Sequence, residues 1–168
     1  MTQSDEKIRS ILARYAAGPD LVRSSIQGLD PTQLDLTISP DGWSIRQLIH
    51  HIVDGDYLWK EFLLQAAGDP ERTFTLEWYW CLPQDEWVKR WTYAGRDVTS
   101  SLELLDANRR HTLELLDKVP WLFEKSLLIP NRQGEQELVT VAEVVEMQSR
   151  HVEGHVEDIQ KIRHAHGV

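Results

Sequence analysis

Seven histidines and a single cysteine are spread over 168 residues, and four of the histidines fall in two helical-looking segments far apart in the chain. The first pair, His50-His51, lies in Gly42-Trp43-Ser44-Ile45-Arg46-Gln47-Leu48-Ile49-His50-His51-Ile52-Val53-Asp54-Gly55-Asp56. The second is His151-Val152-Glu153-Gly154-His155. Neutral imidazole is the commonest metal ligand among side chains and the one whose charge changes near physiological pH. A helix turns by about 100° per residue, so each histidine can be placed against the apolar stripe of its own segment. Leu48, Ile52, Leu58, Trp59 and Phe62 set the inner face of the first segment; His51 falls within about 70° of its centre and His50 roughly opposite, toward solvent. Val144, Gln148, Val152, Ile159 and Ile162 set that face in the second, and both His151 and His155 fall within about 70° of its centre. Each of the three inward imidazoles is open to reading as a hydrogen-bonded core residue. An unpartnered imidazole in an apolar interior costs a few kcal/mol, however, and one divalent ion would satisfy all three.

Neighbouring spacings narrow the chemistry. Glu153 stands two residues after His151, about 200° around the helix, so this is not the His-Glu-x-x-His of zinc proteases. Leu48, Gln148 and Val152 stand three residues before the inward histidines, where a ferritin-like di-iron site wants glutamates. With one cysteine, Cys81, no internal disulfide or cysteine-rich zinc site can form. Asp54, one turn after His51, is either a partner orienting that ring, a general base, or a solvated acid. Asp158, one turn after His155, is the better-placed orienter. Arg109 falls on an apolar face and would either bind an anionic substrate or snorkel to the end of its helix. His111 turns outward, and His164 and His166 belong to a tail expected to fray.

The elements that must position these groups are all helical. Ile8, Ile11, Leu12, Tyr15, Val22 and Ile26 recur at helical intervals from Asp5 to about Gln27, with Gly18-Pro19 expected to kink or restart the helix. Asp30-Pro31 begins a single turn and Thr37 to Gly42 a loop. Ser44 with Gln47 forms a capping box that starts the second helix, which runs to about Ala67 before Gly68-Asp69-Pro70. Residues 68–97 lack a long period; Pro83 opens a short helix there, and Trp78, Trp80, Trp87 and Trp91 crowd this connection as packing or as a pocket wall. Val98 to Val119 carries the third helix, capped by Asp97 or by Ser100 with Glu103. Phe123 to Pro130 reads as a short extended piece and Asn131-Arg132-Gln133-Gly134 as a turn. Thr140 with Glu143 caps the fourth helix, whose buried face continues to Ile162.

The expected architecture is therefore all-α: residues 1–168 as one domain, a four-helix bundle. The long connection between the second and third helices spans the bundle and lets those two run parallel. Net charge is −9, from 27 acidic and 18 basic residues, which disfavours nucleic acid and anionic membrane as partners. Apolar runs are far below the ~20 residues of a membrane span, and the polar start is unlike a secretory signal, so a cytoplasmic location is the default expectation.

The Trp43-Ser44-Ile45-Arg46-Gln47-Leu48-Ile49-His50-His51-Ile52-Val53-Asp54 segment, preceded by Gly28-Leu29 and a proline-containing loop and followed by His151-x-x-x-His155, resembles the DinB/YfiT-like superfamily of metal-binding four-helix bundles. The resemblance covers nearly the whole chain. It implies an up-down-down-up bundle, a three-histidine metal site at His51, His151 and His155, and a homodimer. It also implies a small-molecule substrate, since activities in the family include transfer of low-molecular-weight thiols to electrophiles and metal-dependent hydrolysis. Three neutral ligands leave a coordination position open and suit zinc or nickel, among other ions. From the family, thiol transfer with a low-molecular-weight thiol co-substrate is the leading expectation. Hydrolysis and a non-catalytic metal-binding bundle are the alternatives.

Overall fold

The computed structural model describes residues 3–69, 73–130 and 135–168. Four long helices carry the architecture: α1 (Gln3–Ser25), α2 (Ile45–Gly68), α5 (Thr99–Lys118) and α6 (Val141–His166). Two short ones, α3 (Glu77–Trp80) and α4 (Gln84–Arg90), lie in the crossover. A hairpin of β1 (Ser126–Pro130) and β2 (Gln136–Thr140) pairs antiparallel with Ser126 opposite Thr140, and the Phe74 N–H donates to Leu128 O at its edge. The extended piece expected at Phe123 to Pro130 is thus realised from Ser126 onward, with a partner strand the periodicity did not reveal. The expected turn at 131–134 lies outside the described residues.

Helix directions follow from which residues meet. Arg14 pairs with Glu153 and Arg163 donates to Ser25 O, so α1 and α6 run parallel. His50 meets Ser101 and Asp56 meets Arg109, so α2 and α5 also run parallel. His51 meets His151 while Gly55 and Leu58 lie beside Gln148, which sets α2 antiparallel to α6. Arg23 reaches Leu102 O while Tyr15 O meets Arg109, which sets α1 antiparallel to α5. The result is the up-down-down-up order, with the crossover returning the chain across the height of the bundle.

Both capping boxes form as expected. Ser44 and Gln47 exchange side-chain and backbone bonds at the start of α2, as do Thr140 and Glu143 at α6. At α5 the Asp97 carboxylate accepts the Thr99 N–H. The far end of α6 does not fray: Gly167 adopts φ 69°, the left-handed turn that closes a helix, and His166 Nε2 lies 2.8 Å from Thr37 O. The expectation of a loose tail missed these tertiary contacts.

Gly18-Pro19 neither ends α1 nor restarts it; the helix runs through both. Proline lacks an N–H, so it leaves the carbonyl four residues back, that of Tyr15, without its helical donor. Arg109 Nη1 supplies that donor at 2.7 Å. Gly18 makes the room, because a Cβ there would sit 2.0 Å from Arg109 Nη1. The guanidinium therefore does not snorkel to a bundle end. It is 1% exposed in mid-core, bonded through Nε to Asp56 Oδ1 (2.9 Å) and through Nη2 to Gln148 O (3.0 Å). Asn108 Nδ2 donates to the other Asp56 oxygen at 2.7 Å. This polar layer separates two apolar clusters, one around Phe62, Leu116 and Val144 and one around Ile49, Leu105 and Ile159.

Candidate metal centre

Helical phase selects His51, His151 and His155, and the fold brings them together. His51 and His151 place their Nε2 atoms 3.0 Å apart, and His151 and His155 place theirs 3.1 Å apart. Two nitrogens bound to one tetrahedral metal at about 2.0–2.1 Å stand ~3.3 Å apart, so the spacing already approximates that of a ligand set. All three rings are partly buried, and one ligand atom from each lies within 4.8 Å of the others.

Their electrostatics agree. Burial, followed by the neighbouring His155, lowers the His51 imidazole to about 4. Burial and then His51, His155 and Arg109 lower His151 to about 3. His155 is lowered by burial, against which Asp158 pulls upward. The rings are held neutral, the protonation state in which imidazole binds metal. The Nδ1 atoms of His151 and His155 are buried without a hydrogen-bond partner among the described residues. Nitrogen pairs facing one another inside a partly apolar shell are poorly served by hydrogen bonding alone, because two neutral imidazoles share at most one proton per contact. The residues present fit a divalent metal ion.

The surroundings sort the remaining candidates. Asp158 Oδ2 lies 3.4 Å from His155 Nδ1, placed to orient that ring, while its other oxygen takes Lys161 at 2.8 Å. Asp54 is turned away from the three histidines: Tyr93 donates to it at 2.7 Å and Arg96 lies 3.7 Å off, and burial and this acid together raise the Tyr93 phenol. Arg109 presents its donors to the core layer described above rather than to a substrate. Glu153 pairs with Arg14 on α1, on the side its helical phase predicts. His111 is exposed, and so is Cys81.

His50 departs from expectation. It is fully buried, with Nδ1 2.8 Å from Ser101 Oγ and Nε2 3.3 Å from Arg96 O. A phase argument takes one face as inner and its opposite as solvated. Helix α2 is instead packed against α6 on one flank and against α5 and the Tyr93–Gly95 turn on another. The side opposite His51 is therefore a second interface.

Several contributors lay outside the helical-phase argument. Gly55 is one: a Cβ there would lie 3.2 Å from His151 Cε1, so the ring occupies space that only glycine leaves open. An isolated glycine inside a strong helical pattern was the available signal. Gln148, read only as part of the inner face, has its side-chain oxygen buried without a partner among the described residues. Trp43 packs edge-on against His51 at 4.8 Å between ring centres and donates Nε1 to Asp85 at 2.7 Å, tying the crossover to the centre. In the Trp-rich connection, Trp78, Tyr79, Trp87 and Trp91 form an aromatic cluster, whereas Tyr79 and Trp80 line a cleft of about 260 Å³ that opens on His51 and His151. The connection is both packing and wall. A second opening of about 300 Å³ reaches His155 past Trp43 and Asp158.

A parallel-crossover four-helix bundle with three histidines converging from its second and last long helices defines the class of protein. The chain belongs to the DinB superfamily, whose profile matches residues 14–159. It is 22% identical over 162 residues to a Geobacillus thermodenitrificans protein named "Putative metal-dependent hydrolase", covering 96% of this chain and 87% of that one. A Bacillus licheniformis protein of the same description is 26% identical over 164 residues, covering 95% and 89%. Among solved structures, YfiT from Bacillus subtilis, described as a "probable metal-dependent hydrolase with an unusual four-helix bundle topology", superposes with a TM-score of 0.82 at 16% identity, over 99% of this chain and 90% of that one. That likeness confirms the fold. Among the described residues, no helix is long and apolar enough to cross a membrane.

Proposed function

We propose that the chain is a metal-dependent hydrolase acting on a small molecule at His51, His151 and His155. The observation that carries this reading is the convergence of three neutral Nε2 atoms at 3.0 and 3.1 Å between two openings to solvent. Three neutral ligands leave a coordination position for reactants, and a divalent ion such as zinc or nickel would supply Lewis acidity and a nucleophile from water at neutral pH. The names carried by the relatives from Geobacillus and Bacillus support the same reaction class.

The chain's own groups divide the remaining work. Low imidazole pKa values keep all three rings neutral at neutral pH, so each has one nitrogen with a lone pair to offer a metal. Asp158 steadies His155, Trp43 backs His51, and the absent side chain of Gly55 admits His151. Trp59, Tyr79 and Trp80 supply a largely apolar wall on one approach.

Transfer of a low-molecular-weight thiol to an electrophile is the second reading; two separate openings onto the histidines give a thiol and an electrophile separate approaches. Metal analysis of purified wild type, His51→Ala and His155→Ala tests the ligand set: about one ion per chain in wild type and loss in both variants is expected. Ester and amide hydrolysis is then measured with and without chelator, beside conjugation of a thiol panel to a model electrophile. Chelator-sensitive hydrolysis supports the first reading, and thiol-dependent conjugation alone moves the assignment to the second. Loaded protein with no saturable rate in either assay refutes catalysis and leaves a metal-binding bundle.

A further inference from the structure

We propose that the cleft beside His51 and His151 binds an uncharged, flat apolar group, an aromatic ring by preference, that carries a hydrogen-bond donor next to the reacting atom. The inference rests on the metal reading above and adds the class of substrate to it. Trp59, Tyr79, Trp80 and Met147 wall the cleft, and among the described residues that line it there is no Lys, Arg, Asp or Glu. A charged substrate entering here would shed its hydration without meeting a counter-ion, whereas a ring would find aromatic faces and a polarizable thioether. The chain's net charge of −9 adds to the disadvantage of an anion.

Polar selectivity comes from two amides. Gln84 Oε1 already accepts the Tyr79 hydroxyl at 2.7 Å. Gln148 is 4% exposed, and its Oε1 is without a hydrogen-bond partner among the described residues. Buried side-chain acceptors are nearly always paired, so this oxygen marks a place that a ligand's N–H or O–H completes. The last torsion of glutamine is soft, and a turn of the amide presents the acceptor to the cleft without moving the helix. The backbone beneath is held by Arg109, whose Nη2 donates to Gln148 O at 3.0 Å, so the amide pivots from a fixed point. By contrast, the opening past Trp43 carries Asp158, which sets the two approaches apart chemically.

The test uses zinc-loaded full-length protein and three probes with one metal-binding group: acetohydroxamate, benzohydroxamate and 4-carboxybenzohydroxamate. Affinity is read by calorimetry, with zinc content measured on the same samples. Benzohydroxamate is expected to bind about tenfold more tightly than acetohydroxamate, with most of that gain lost on adding the carboxylate. Trp80→Ala, at a residue 38% exposed and therefore tolerant of truncation, should remove the ring-dependent gain and leave zinc content and acetohydroxamate affinity unchanged. Gln148→Met should weaken both uncharged probes, which share the donor N–H, by about threefold to tenfold at unchanged zinc content. Zinc bound at one per chain with equal affinity for the ring-bearing and methyl probes, or with no penalty for the carboxylate, overturns the cleft assignment alone. Failure to hold zinc overturns the metal reading and this inference with it.

Discussion

Replacing Gly55 by alanine should strengthen the helix and weaken the metal centre, although helix stability and metal affinity ordinarily rise and fall together. Alanine is favoured over glycine inside a helix by about 0.8–1 kcal/mol, and Gly55 lies near the middle of α2. The new methyl would stand 3.2 Å from His151 Cε1. Carbon–carbon contacts relax to about 3.5–4.0 Å, so the imidazole must retreat by ~0.3–0.8 Å. Metal–ligand distances tolerate only about 0.2 Å, so the displacement exceeds what the centre accepts and affinity should fall by roughly 10–100-fold. Gly154→Ala is the control, since its added carbon meets nothing within 4 Å and brings the helical gain alone. Competition against a chromophoric chelator gives the affinity, and urea unfolding of chelated protein gives the stability. The reasoning is refuted if Gly55→Ala binds metal within about twofold of wild type, or if Gly154→Ala loses as much affinity as Gly55→Ala.

His50→Ala should keep the metal but lose about 1–3 kcal/mol of stability, because it strips a buried ring from Ser101 and Arg96 O; metal analysis and urea unfolding check both halves. Arg109→Met should destabilise by about 3–5 kcal/mol by leaving Asp56 buried without its counter-ion, and Arg109→Met with Asp56→Leu should recover part of that loss in the same assay. Metal-free protein should lose stability on acidification. The three histidines hold their protons less tightly folded than unfolded, so their contribution is complete above the ordinary value near ~6.5 and drains away as pH falls through about 4 for His51 and about 3 for His151. His151→Gln should flatten that decline in urea midpoints measured from pH 7 to 5.

Legibility followed the range of the interaction concerned. Capping boxes at Ser44 and Thr140 involve residues three apart, and both form as the sequence implies. His51, His151 and His155 were also accessible, since each ring's direction depends on the apolar phase of a single helix. The same argument failed for His50, because phase assumes one buried stripe and α2 is packed on more than one flank. Arg109 resisted for a related reason. Its partners Asp56, Tyr15 O and Gln148 O come from three different helices, and no local pattern brings them together.

Alone, the sequence determined where the four long helices lie, where two of them begin, and that His51, His151 and His155 face inward, because backbone capping and side-chain periodicity act within a few residues. Only the tertiary structure decided that the three Nε2 atoms meet within hydrogen-bonding distance and that Gly55 leaves the space for His151. It also decided that Pro19's orphaned carbonyl is answered by Arg109, and that part of the tryptophan-rich crossover becomes the wall of a cleft. Those outcomes depend on how four helices are set against one another by the long crossover, and contacts between residues a hundred positions apart leave no periodic trace in the chain.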